Sequence, residues 1–342
     1  MIVPRKIALV GPRFFLYIEA IRRNLEVRGF ESEFFDERHS NSILVRILYR
    51  IGYYAIVTAR KNRHLDDLAK QIRQENFETV VLIGVEVCDS RFVRRLIDGG
   101  VRVYLYMWDS AKNKPRYLSY LSLLHGGSSF DPDDCSAYGL TYIPLFAEND
   151  FSRKQKGLSE STDRPIDVAF CGTLHSNRAR RIAELLTFAK HRNLQVSLLL
   201  YFHSRWLLLV KSFVRFSNAQ FARSISTKGF SKRQIFELFS RSKFVFDLPH
   251  PGQVGLTART FEALRSGTRL ITFNEMARSK LPPSLQARVF VIESVEDLRN
   301  LDFSGPCPSS VLSMDEDYYL SLDRFIDQIL TLIEYPEQGQ LV

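Results

Sequence analysis

Two charged residues in one short stretch have types and spacing that suit an anionic ligand. The stretch runs from Phe244 to Asn274 and reads FVFDLPHPGQVGLTARTFEALRSGTRLITFN. On a helix, Arg259 and Glu262 lie three residues apart and share a face that is not the apolar one. An arginine suits phosphate and a glutamate accepts hydrogen bonds from ribose hydroxyls, so the pair suits a sugar nucleotide. A solvated Arg–Glu pair on an ordinary helix has the same spacing, so the pattern alone leaves both interpretations open.

The same stretch predicts a strand, a loop, a helix and a second strand that would position this pair. The apolar runs at 244–246 and 270–273 are typical of strands, and the two Pro and two Gly between them force a turn. Thr257 is placed to cap the start of the helix and Gly267 to end it. Because a helix N-terminus carries free N–H groups and the positive end of the dipole, the loop and helix predict a diphosphate site.

The motif that spans the loop and helix resembles the nucleotide-binding segment of glycosyltransferases with the GT-B fold. It reads Gly255-Leu256-Thr257-x-Arg259-x-Phe261-Glu262-Ala263-Leu264-x-Ser266-Gly267. With DLPHPG before it, it is most similar to the CgeB-like branch and its bacterial polysaccharide relatives, which are group 1-like glycosyltransferases. The resemblance implies that Glu262 holds the ribose and that Gly255, Leu256 and Thr257 face the diphosphate. Retaining members often carry a second Glu eight positions earlier, where this chain has Val254, so the stereochemical outcome stays open.

Further donor-site candidates follow from the resemblance. In GT-B folds the first loop of the second domain approaches the donor phosphates, which implies roles for Gly172, Thr173 and Arg178. We expect Arg259 to be the phosphate cation and His250 to make a contact nearby. The His250-Pro251 pair resembles the His-Pro pair of bacterial transferases that use CMP-sugars, but UDP-, GDP- and CMP-sugars all stay open.

Two acidic residues follow apolar strands in the N-terminal half. Glu86 follows the run TVVLIGV, and Asp109 follows the run VRVYLYM and stands beside Trp108. Ligands of open α/β sheets bind beyond the carboxyl ends of strands, where a carboxylate can act as general base on an acceptor hydroxyl. A helix cap or a solvated side chain is the alternative for each. The Trp-Asp pair also occurs here in the CgeB-like family, so we favour Asp109 over Glu86.

The order of the apolar runs predicts two α/β domains within 342 residues. The polar segment 149–165 is the clearest linker. We therefore expect an acceptor-binding domain over 1–148 and a nucleotide-sugar-binding domain over 166–312. A closing helix is expected over Asp315–Ile333 within the C-terminal segment 313–342, and by resemblance it crosses back to the first domain. The resemblance implies a fold of two facing Rossmann-like, doubly wound domains.

Composition excludes several classes of protein. Hydrophobic residues make up 45% and charged residues 25%, as in globular proteins. No G-x-G-x-x-G follows the first strand, which argues against a classical NAD enzyme. The four cysteines lack paired spacing, which fits free thiols in a reducing cytoplasm and argues against structural zinc. The sequence shows neither a signal pattern nor a membrane-spanning apolar run, so we expect a cytoplasmic protein.

The formal net charge of +9 favours an anionic partner. No nucleic-acid-binding motif is present, so we rank phosphate-bearing substrates and an anionic membrane surface above nucleic acid. Two apolar segments with basic borders, Ser42–Arg63 and His203–Phe216, are candidates for membrane or acceptor contact. Packing against a sheet is the alternative for both. The expected location is therefore cytoplasmic, with peripheral contact at the inner face of the membrane.

The leading hypothesis is a glycosyltransferase that moves a sugar from a nucleotide sugar to a glycan, lipid-linked saccharide or other acceptor in bacterial cell-surface polysaccharide synthesis. It expects no cofactor and no essential metal, because helix N-termini and basic side chains would stabilise the diphosphate. One alternative is a non-catalytic GT-B-like scaffold that binds a glycan or partner, against which the intact Arg259 and Glu262 argue. The other is a sugar-nucleotide epimerase of the same fold, which needs no lipid-facing segment.

Overall fold

The chain forms two compact units in a computed structural model that describes residues 5–13, 17–40, 58–153, 156–157, 164–173, 178–202, 224–250, 252–305 and 311–335. The first unit comprises Met1–Leu145, Gly252–Gly255 and Leu322–Val342, and the second comprises Phe146–Pro251 and Leu256–Ser321. The segment His203–Phe216 and residues 42–57 of the other apolar segment lie outside the described residues. The two membrane-contact candidates therefore stay predictions.

The first unit is built on a parallel six-stranded sheet with helices between its strands. In chain order its elements are β1 Lys6–Gly11, α1 Tyr17–Val27, β2 Glu31–Asp36, α2 Thr58–Gln74, β3 Thr79–Ile83, α3 Ser90–Ile97, β4 Arg102–Met107, a 3₁₀ helix Pro115–Leu123, β5 Gly126–Ser129, α4 Pro132–Tyr138 and β6 Thr141–Tyr142. The strands lie in the order β2-β1-β3-β4-β5-β6. Every residue of β3 is buried, as expected of a central parallel strand.

The second unit is built on another parallel six-stranded sheet. Its elements are a 3₁₀ helix Asn149–Phe151, β7 Ile166–Thr173, α5 Arg178–His191, β8 Val196–Tyr201, β9 Ile225–Ser226, α6 Lys232–Ser240, β10 Ser242–Asp247, α7 Ala258–Arg265, β11 Arg269–Thr272, α8 Ala277–Lys280, α9 Pro283–Gln286, β12 Val289–Val291, a 3₁₀ helix Val295–Asn300 and α10 Met314–Tyr319. The last helix, α11 Leu322–Glu334, belongs to the first unit.

The strand orders locate a switch point in each sheet. The second sheet runs β12-β11-β10-β7-β8-β9, so the chain winds outward in both directions from the neighbours β7 and β10. In the first sheet the corresponding neighbours are β1 and β3. Open α/β sheets bind ligands beyond the carboxyl ends of the strands at such points, because the following loops leave in opposite directions there. The strand orders therefore predict one ligand-binding edge of the sheet in each unit.

The strand, loop, helix and strand predicted from the central stretch are confirmed as β10, α7 and β11. The hydroxyl of Thr257 accepts the Thr260 amide at the start of α7, and Gly267 has a φ of 74° at its end. This positive φ favours glycine, since a Cβ atom would be strained there. Local capping chemistry thus sets both ends of the helix as the sequence predicted.

The single closing helix predicted over 315–333 is wrong, because the chain forms two helices, α10 and α11. The break falls at Leu320 and Ser321. The Leu320 carbonyl accepts the Ala147 amide at 2.8 Å, and Ser321 pairs with Ala147 in an isolated β-bridge. A backbone segment engaged in β pairing cannot also continue a helix, so this pairing ends α10.

Both described ends of the segment 149–165 pack within the second unit. Phe151 is buried, and Arg164 is 4% exposed. The Arg164 guanidinium donates to the Ser242 carbonyl at 2.6 Å and to the Gly267 carbonyl at 2.7 Å. These bonds fasten Arg164 to the start of β10 and to the turn after α7, so the described end of this segment supports the helix that carries the charged pair.

Candidate functional site

At the switch point of the second unit, Arg178 connects the ends of two strands. It is the first residue of α5, and its guanidinium donates to the Leu248 carbonyl at 2.6 Å and to the Thr173 carbonyl at 3.4 Å. Leu248 follows β10, and Thr173 ends β7. Burial lowers the pKa of Arg178, with Asp247 acting in the opposite direction. A cation is therefore held directly at the point where topology predicts a ligand.

Asp247 anchors the start of α7 to the end of β10. Its carboxylate is 3% exposed and accepts the Thr257 hydroxyl at 2.9 and 3.0 Å and the Thr260 hydroxyl at 3.3 Å. Burial raises the pKa of Asp247, while the hydrogen bond from Thr257 opposes that rise. Because Thr257 also caps α7, one buried carboxylate fixes the position of the helix N-terminus. Sequence reasoning included Asp247 in the motif but gave it no role.

The predicted pair on α7 forms an ion pair between Arg259 and Glu262. The Glu262 side chain is only 2% exposed, whereas that of Arg259 is 29% exposed. Every residue from Thr260 to Arg265 is buried. The solvated-pair alternative is therefore wrong. The sequence allowed the solvated alternative because the elements that cover the polar side of α7 lie far away along the chain.

The covering elements are visible in the contacts of Arg265 at the end of α7. Arg265 forms an ion pair with Asp317 of α10 at 3.0 Å and donates to the Ala147 carbonyl at 2.8 Å and to the Asn149 side chain at 3.2 Å. A buried arginine with this many partners keeps its charge compensated. Both ends of α7 are thus fastened, so Arg259 and Glu262 are held on a rigid support.

Gly172, near the end of β7, leaves room beside Arg178. A Cβ atom there would lie 2.9 Å from the Phe170 ring and 3.6 Å from an Arg178 guanidinium nitrogen. The N-termini of α5 and α7 follow β7 and β10, which are adjacent strands, and each helix carries an arginine in its first turn. Two helix N-termini and two arginines at one sheet edge make an environment for a multiply charged anion.

The remaining donor candidates lie in the loop between β10 and α7. Gly255 lies in the first unit, where a Cβ atom would be 2.5 Å from the Phe130 carbonyl oxygen. Leu256 is 1% exposed, so only its backbone could reach a ligand. The Thr257 hydroxyl is engaged with Asp247. His250 is partly buried beyond the end of β10.

In the first unit, Asp109 follows β4, as predicted, and its Oδ1 accepts a hydrogen bond from the Gln253 side chain at 2.9 Å. The neighbouring Trp108 indole packs on Gly84, where a Cβ atom would lie 2.1 Å from its Nε1. Gly84 also has a φ of 57°, so glycine is required there on two grounds. The close packing fixes the segment that carries Asp109.

Glu86 is held between two cations, Arg38 and Lys114. Burial raises the pKa of Glu86, but the charges of Lys114 and Arg38 outweigh it, so its pKa lies below the ordinary value. A carboxylate that releases its proton so readily is a weak general base. Of the two predicted bases, the geometry therefore favours Asp109.

Sequence reasoning missed Glu37, which is completely buried one residue after β2. Its carboxylate accepts three consecutive backbone amides, those of Glu86 at 2.7 Å and of Val87 and Cys88 at 2.8 Å each. Successive amides that converge on one anion form a nest. Its only sequence signal was its place after a strand, and nothing local showed that the partner loop lies about 50 residues away.

Comparisons with known proteins agree on the fold. No family model matches the chain, and no curated protein matches it. A glycosyltransferase from Rickettsia africae aligns over 97% of this chain and 98% of its own, with a TM-score of 0.59 at 9% identity. Anabaena Alr3699/HepE in complex with UDP aligns over 96% and 99%, with a TM-score of 0.59 at 9% identity. The UDP-GlcNAc 2-epimerase from Methanocaldococcus jannaschii aligns over 97% and 100%, with a TM-score of 0.53 at 10% identity.

At these identities the likeness shows the fold, which glycosyltransferases and epimerases share. Within the described ranges, no group of three or more His, Cys, Asp or Glu side chains could hold a metal ion. No helix among the described residues is long and apolar enough to cross a membrane. The chain has the GT-B-like architecture of two Rossmann-type α/β units, as the resemblance implied.

Proposed function

We propose that the protein is a glycosyltransferase that binds a nucleotide sugar at the switch point of the second unit. The observation that carries this proposal is the position of Arg178, whose guanidinium spans the carbonyls of Thr173 and Leu248. Arg259 lies near enough to Arg178 for its charge to lower the pKa of Arg178 further. The positive charges of Arg178 and Arg259 repel each other. A diphosphate that accepts hydrogen bonds from both guanidinium groups would neutralise them.

The nucleoside half of the donor is assigned to Glu262. Its carboxylate is an acceptor held by Arg259, and ribose supplies two neighbouring hydroxyl donors. Arg259 is 29% exposed, so it can reach a phosphate while it keeps contact with Glu262. In glycosyl transfer the bond between C1 of the sugar and the diphosphate breaks, and the negative charge that develops on the leaving group would be stabilised by both arginines.

The first unit is assigned to the acceptor, with Asp109 as the base. A transferase needs one group to take the proton from the acceptor hydroxyl as the oxygen attacks C1. Asp109 lies just past a strand end and has a side-chain amide donor, Gln253, to orient it.

The family branch, the acceptor and the membrane contact are further parts of the proposal. Membership in the CgeB-like branch rests on the motif from Gly255 to Gly267 and on Trp108-Asp109. A glycan or lipid-linked acceptor of a cell-surface polysaccharide, and peripheral contact with the inner face of the membrane, rest on that resemblance and on the net charge of +9. The proposal assigns no cofactor and no nucleic acid partner.

A sugar-nucleotide epimerase is the second candidate, because proteins of that activity share the fold over nearly the whole chain. The two reactions differ in what they release. A transferase frees the nucleoside diphosphate (or, from a CMP-sugar, the monophosphate) as the sugar passes to the acceptor or, slowly, to water. An epimerase accumulates an isomer of the nucleotide sugar and needs no acceptor.

Proton NMR of UDP-, GDP- and CMP-sugars incubated with the protein separates these outcomes, since water can replace the acceptor slowly. We expect release of free nucleotide, slowed about a hundredfold or more in Asp109→Asn. Asp98→Asn, which changes an exposed carboxylate at the end of α3, should be fully active. Accumulation of an isomer at C2 would establish the epimerase instead. Binding of a nucleotide with neither product would favour the non-catalytic scaffold.

A further inference from the structure

The switch point of the first unit carries a charged cluster of its own, formed by Arg38, Glu86 and Lys114. Arg38 lies two residues after β2, Glu86 follows β3, and Lys114 lies in the segment after β4. Both cations contact the same carboxylate, one on each oxygen. Their side chains are 9% and 26% exposed, and that of Glu86 is 19% exposed. One negative charge is thus shared by two partly buried positive charges.

Several charged groups around the cluster have partners of their own. Lys61 is paired with Asp89, and the Arg116 guanidinium donates to the Val87 carbonyl at 3.3 Å. His39 follows Arg38 in the chain, and burial lowers its pKa, as do the charges of His64 and Arg60. The Glu37 carboxylate is already committed to three backbone amides. The three side chains of the cluster thus carry two positive charges and one negative charge.

A partly buried cation without full compensation is costly, so such an excess commonly serves a ligand. Arg38 has a donor group that the described part of the protein does not use. Its Nε is buried and has no hydrogen-bond partner among the residues that the structure describes. Its backbone amide donates to Asp36 at 3.0 Å, which fixes where the side chain begins. The guanidinium is held in place with donor capacity left over.

The cluster is also preformed. The Glu37 carboxylate holds the amides of Glu86, Val87 and Cys88 at 2.7 to 2.8 Å, and these residues form the loop that places the Glu86 side chain. Because the nest is occupied by a side chain of the protein itself, an incoming anion would bind to the cations and not to the nest. Glu86 then acts as a counter-ion that holds two cations apart and in position.

We propose that Arg38 and Lys114 bind an anionic group, a phosphate or a carboxylate, of the molecule bound by the first unit. That this molecule is the acceptor of glycosyl transfer rests on the proposed function, whereas anion binding at this cluster does not. A tetrahedral phosphate or planar carboxylate would accept from Lys114 Nζ and from the guanidinium of Arg38, with Glu86 displaced from one of its two partners. The acceptor is accordingly expected to be acidic and not a neutral sugar.

Thermal shift and NMR titration with glucose 6-phosphate, glucuronate and glucose test the proposal. The first two probes carry the two candidate anions, and glucose is the neutral control. All titrations use Glu262→Gln as well as the native chain, so that binding at the second unit is recognised. Lys114→Gln is compared with Lys70→Gln, which removes an exposed lysine from α2 of the same unit.

We expect at least one anionic probe to bind the native chain and Glu262→Gln alike, and glucose to bind neither. Lys114→Gln should weaken that binding about tenfold or more, as loss of a hydrogen bond to a charged group does, and Lys70→Gln should leave it unchanged. Arg38→Lys, which keeps the charge but not the planar fork, should weaken binding to a smaller extent. Equal binding by Lys114→Gln, equal binding of glucose, or no binding of either anion at 10 mM or below overturns the proposal.

Nucleotide binding by the same variants keeps the two proposals separate. If the native chain and Lys114→Gln bind a nucleotide alike but no anionic probe binds the native chain, the inference of an anion site fails and the transferase proposal stands. If an anionic probe binds through Lys114 but no nucleotide binds the native chain, the anion site stands and the transferase proposal fails.

Discussion

The hydroxyl of Thr257 lies 2.9 Å from Oδ2 of Asp247 and at the same time accepts the amide of Thr260 at 3.3 Å. One hydroxyl group thereby joins the end of β10 to the start of α7. Since Arg259 and Glu262 lie within the first two turns of α7, their position depends on this contact. Helix capping and ligand placement are coupled in one residue.

Thr257→Val keeps the shape of the side chain but removes both hydrogen bonds. We expect it to lower the free energy of unfolding by about 2 kcal/mol, because it removes a cap and leaves the buried Asp247 carboxylate short of a donor. Nucleotide affinity should fall with it. Urea denaturation and calorimetric titration measure the two effects.

Ser231→Ala is the matched control, since Ser231 caps α6 with a complete capping box formed with Gln234. It should cost about 1 kcal/mol and leave nucleotide affinity unchanged. If both variants weaken the nucleotide equally, the coupling between the cap and the site is disproved.

Asp109→Asn should reduce turnover by a factor of about 10² to 10⁴, the usual contribution of a general base, while nucleotide binding is retained. Glu86→Gln should retain more activity than Asp109→Asn, because Glu86 is engaged by Arg38 and Lys114. Steady-state release of nucleotide compares the two variants. The opposite order of activities would assign the base to Glu86.

The stability of the protein should depend on pH through Glu86. Its pKa in the folded chain is lowered from the ordinary value of 4.5, because the charges of Lys114 and Arg38 outweigh its burial. A group with a lowered folded pKa contributes stability above its unfolded pKa and loses that contribution as the pH falls through the folded pKa. The native chain should therefore be more stable than Glu86→Gln at pH 7.

This advantage should disappear as the pH falls below about 4.5, where the unfolded carboxylate and then the folded one become protonated. Unfolding midpoints of both proteins between pH 3 and 7 check the sign. A difference in stability that does not change over this range would show that the ion pairs contribute nothing net.

Gly255→Ala should destabilise the protein, because the added Cβ atom would lie 2.5 Å from the backbone oxygen of Phe130. A backbone atom cannot move aside as a flexible side chain can, so we expect a loss of about 1 to 3 kcal/mol. Gly229→Ala is the control, since nothing lies within 4 Å of the corresponding position. Equal melting temperatures for the two variants would contradict the close approach.

Local features of the chain predicted most of the fold. Apolar runs and glycine turns predicted β3, β4, β10 and β11, and Thr257 was recognised as a cap because capping depends on neighbours in sequence. Long-range contacts account for what was missed. No role was predicted for Arg265, which is only 1% exposed because Asp317 and Ala147 reach it from elsewhere in the chain.

The candidate sites divide in the same way. The motif identified Arg259 and Glu262, but the role of Asp247 depends on two threonines that only the folded loop brings to it. The cluster of Arg38, Glu86 and Lys114 joins three segments of the chain, and no spacing in the sequence reveals it. Similarly, nothing near Glu37 in the sequence shows that its carboxylate accepts backbone amides from the loop that follows β3.

The central claim is that α7 and Arg178 form a nucleotide-sugar site. Isothermal titration with UDP, GDP, CMP and their sugars tests it most directly, with the native chain, Glu262→Gln and Glu237→Gln compared. Glu237 is the matched control, because it also pairs with an arginine on a helix of the second unit but is 54% exposed.

We predict that one nucleotide family binds the native chain and Glu237→Gln with equal affinity, and that Glu262→Gln binds at least tenfold more weakly, a loss of about 1.4 kcal/mol. If no nucleotide binds the native chain, or if Glu262→Gln binds as tightly as the native chain, the account of this site is contradicted.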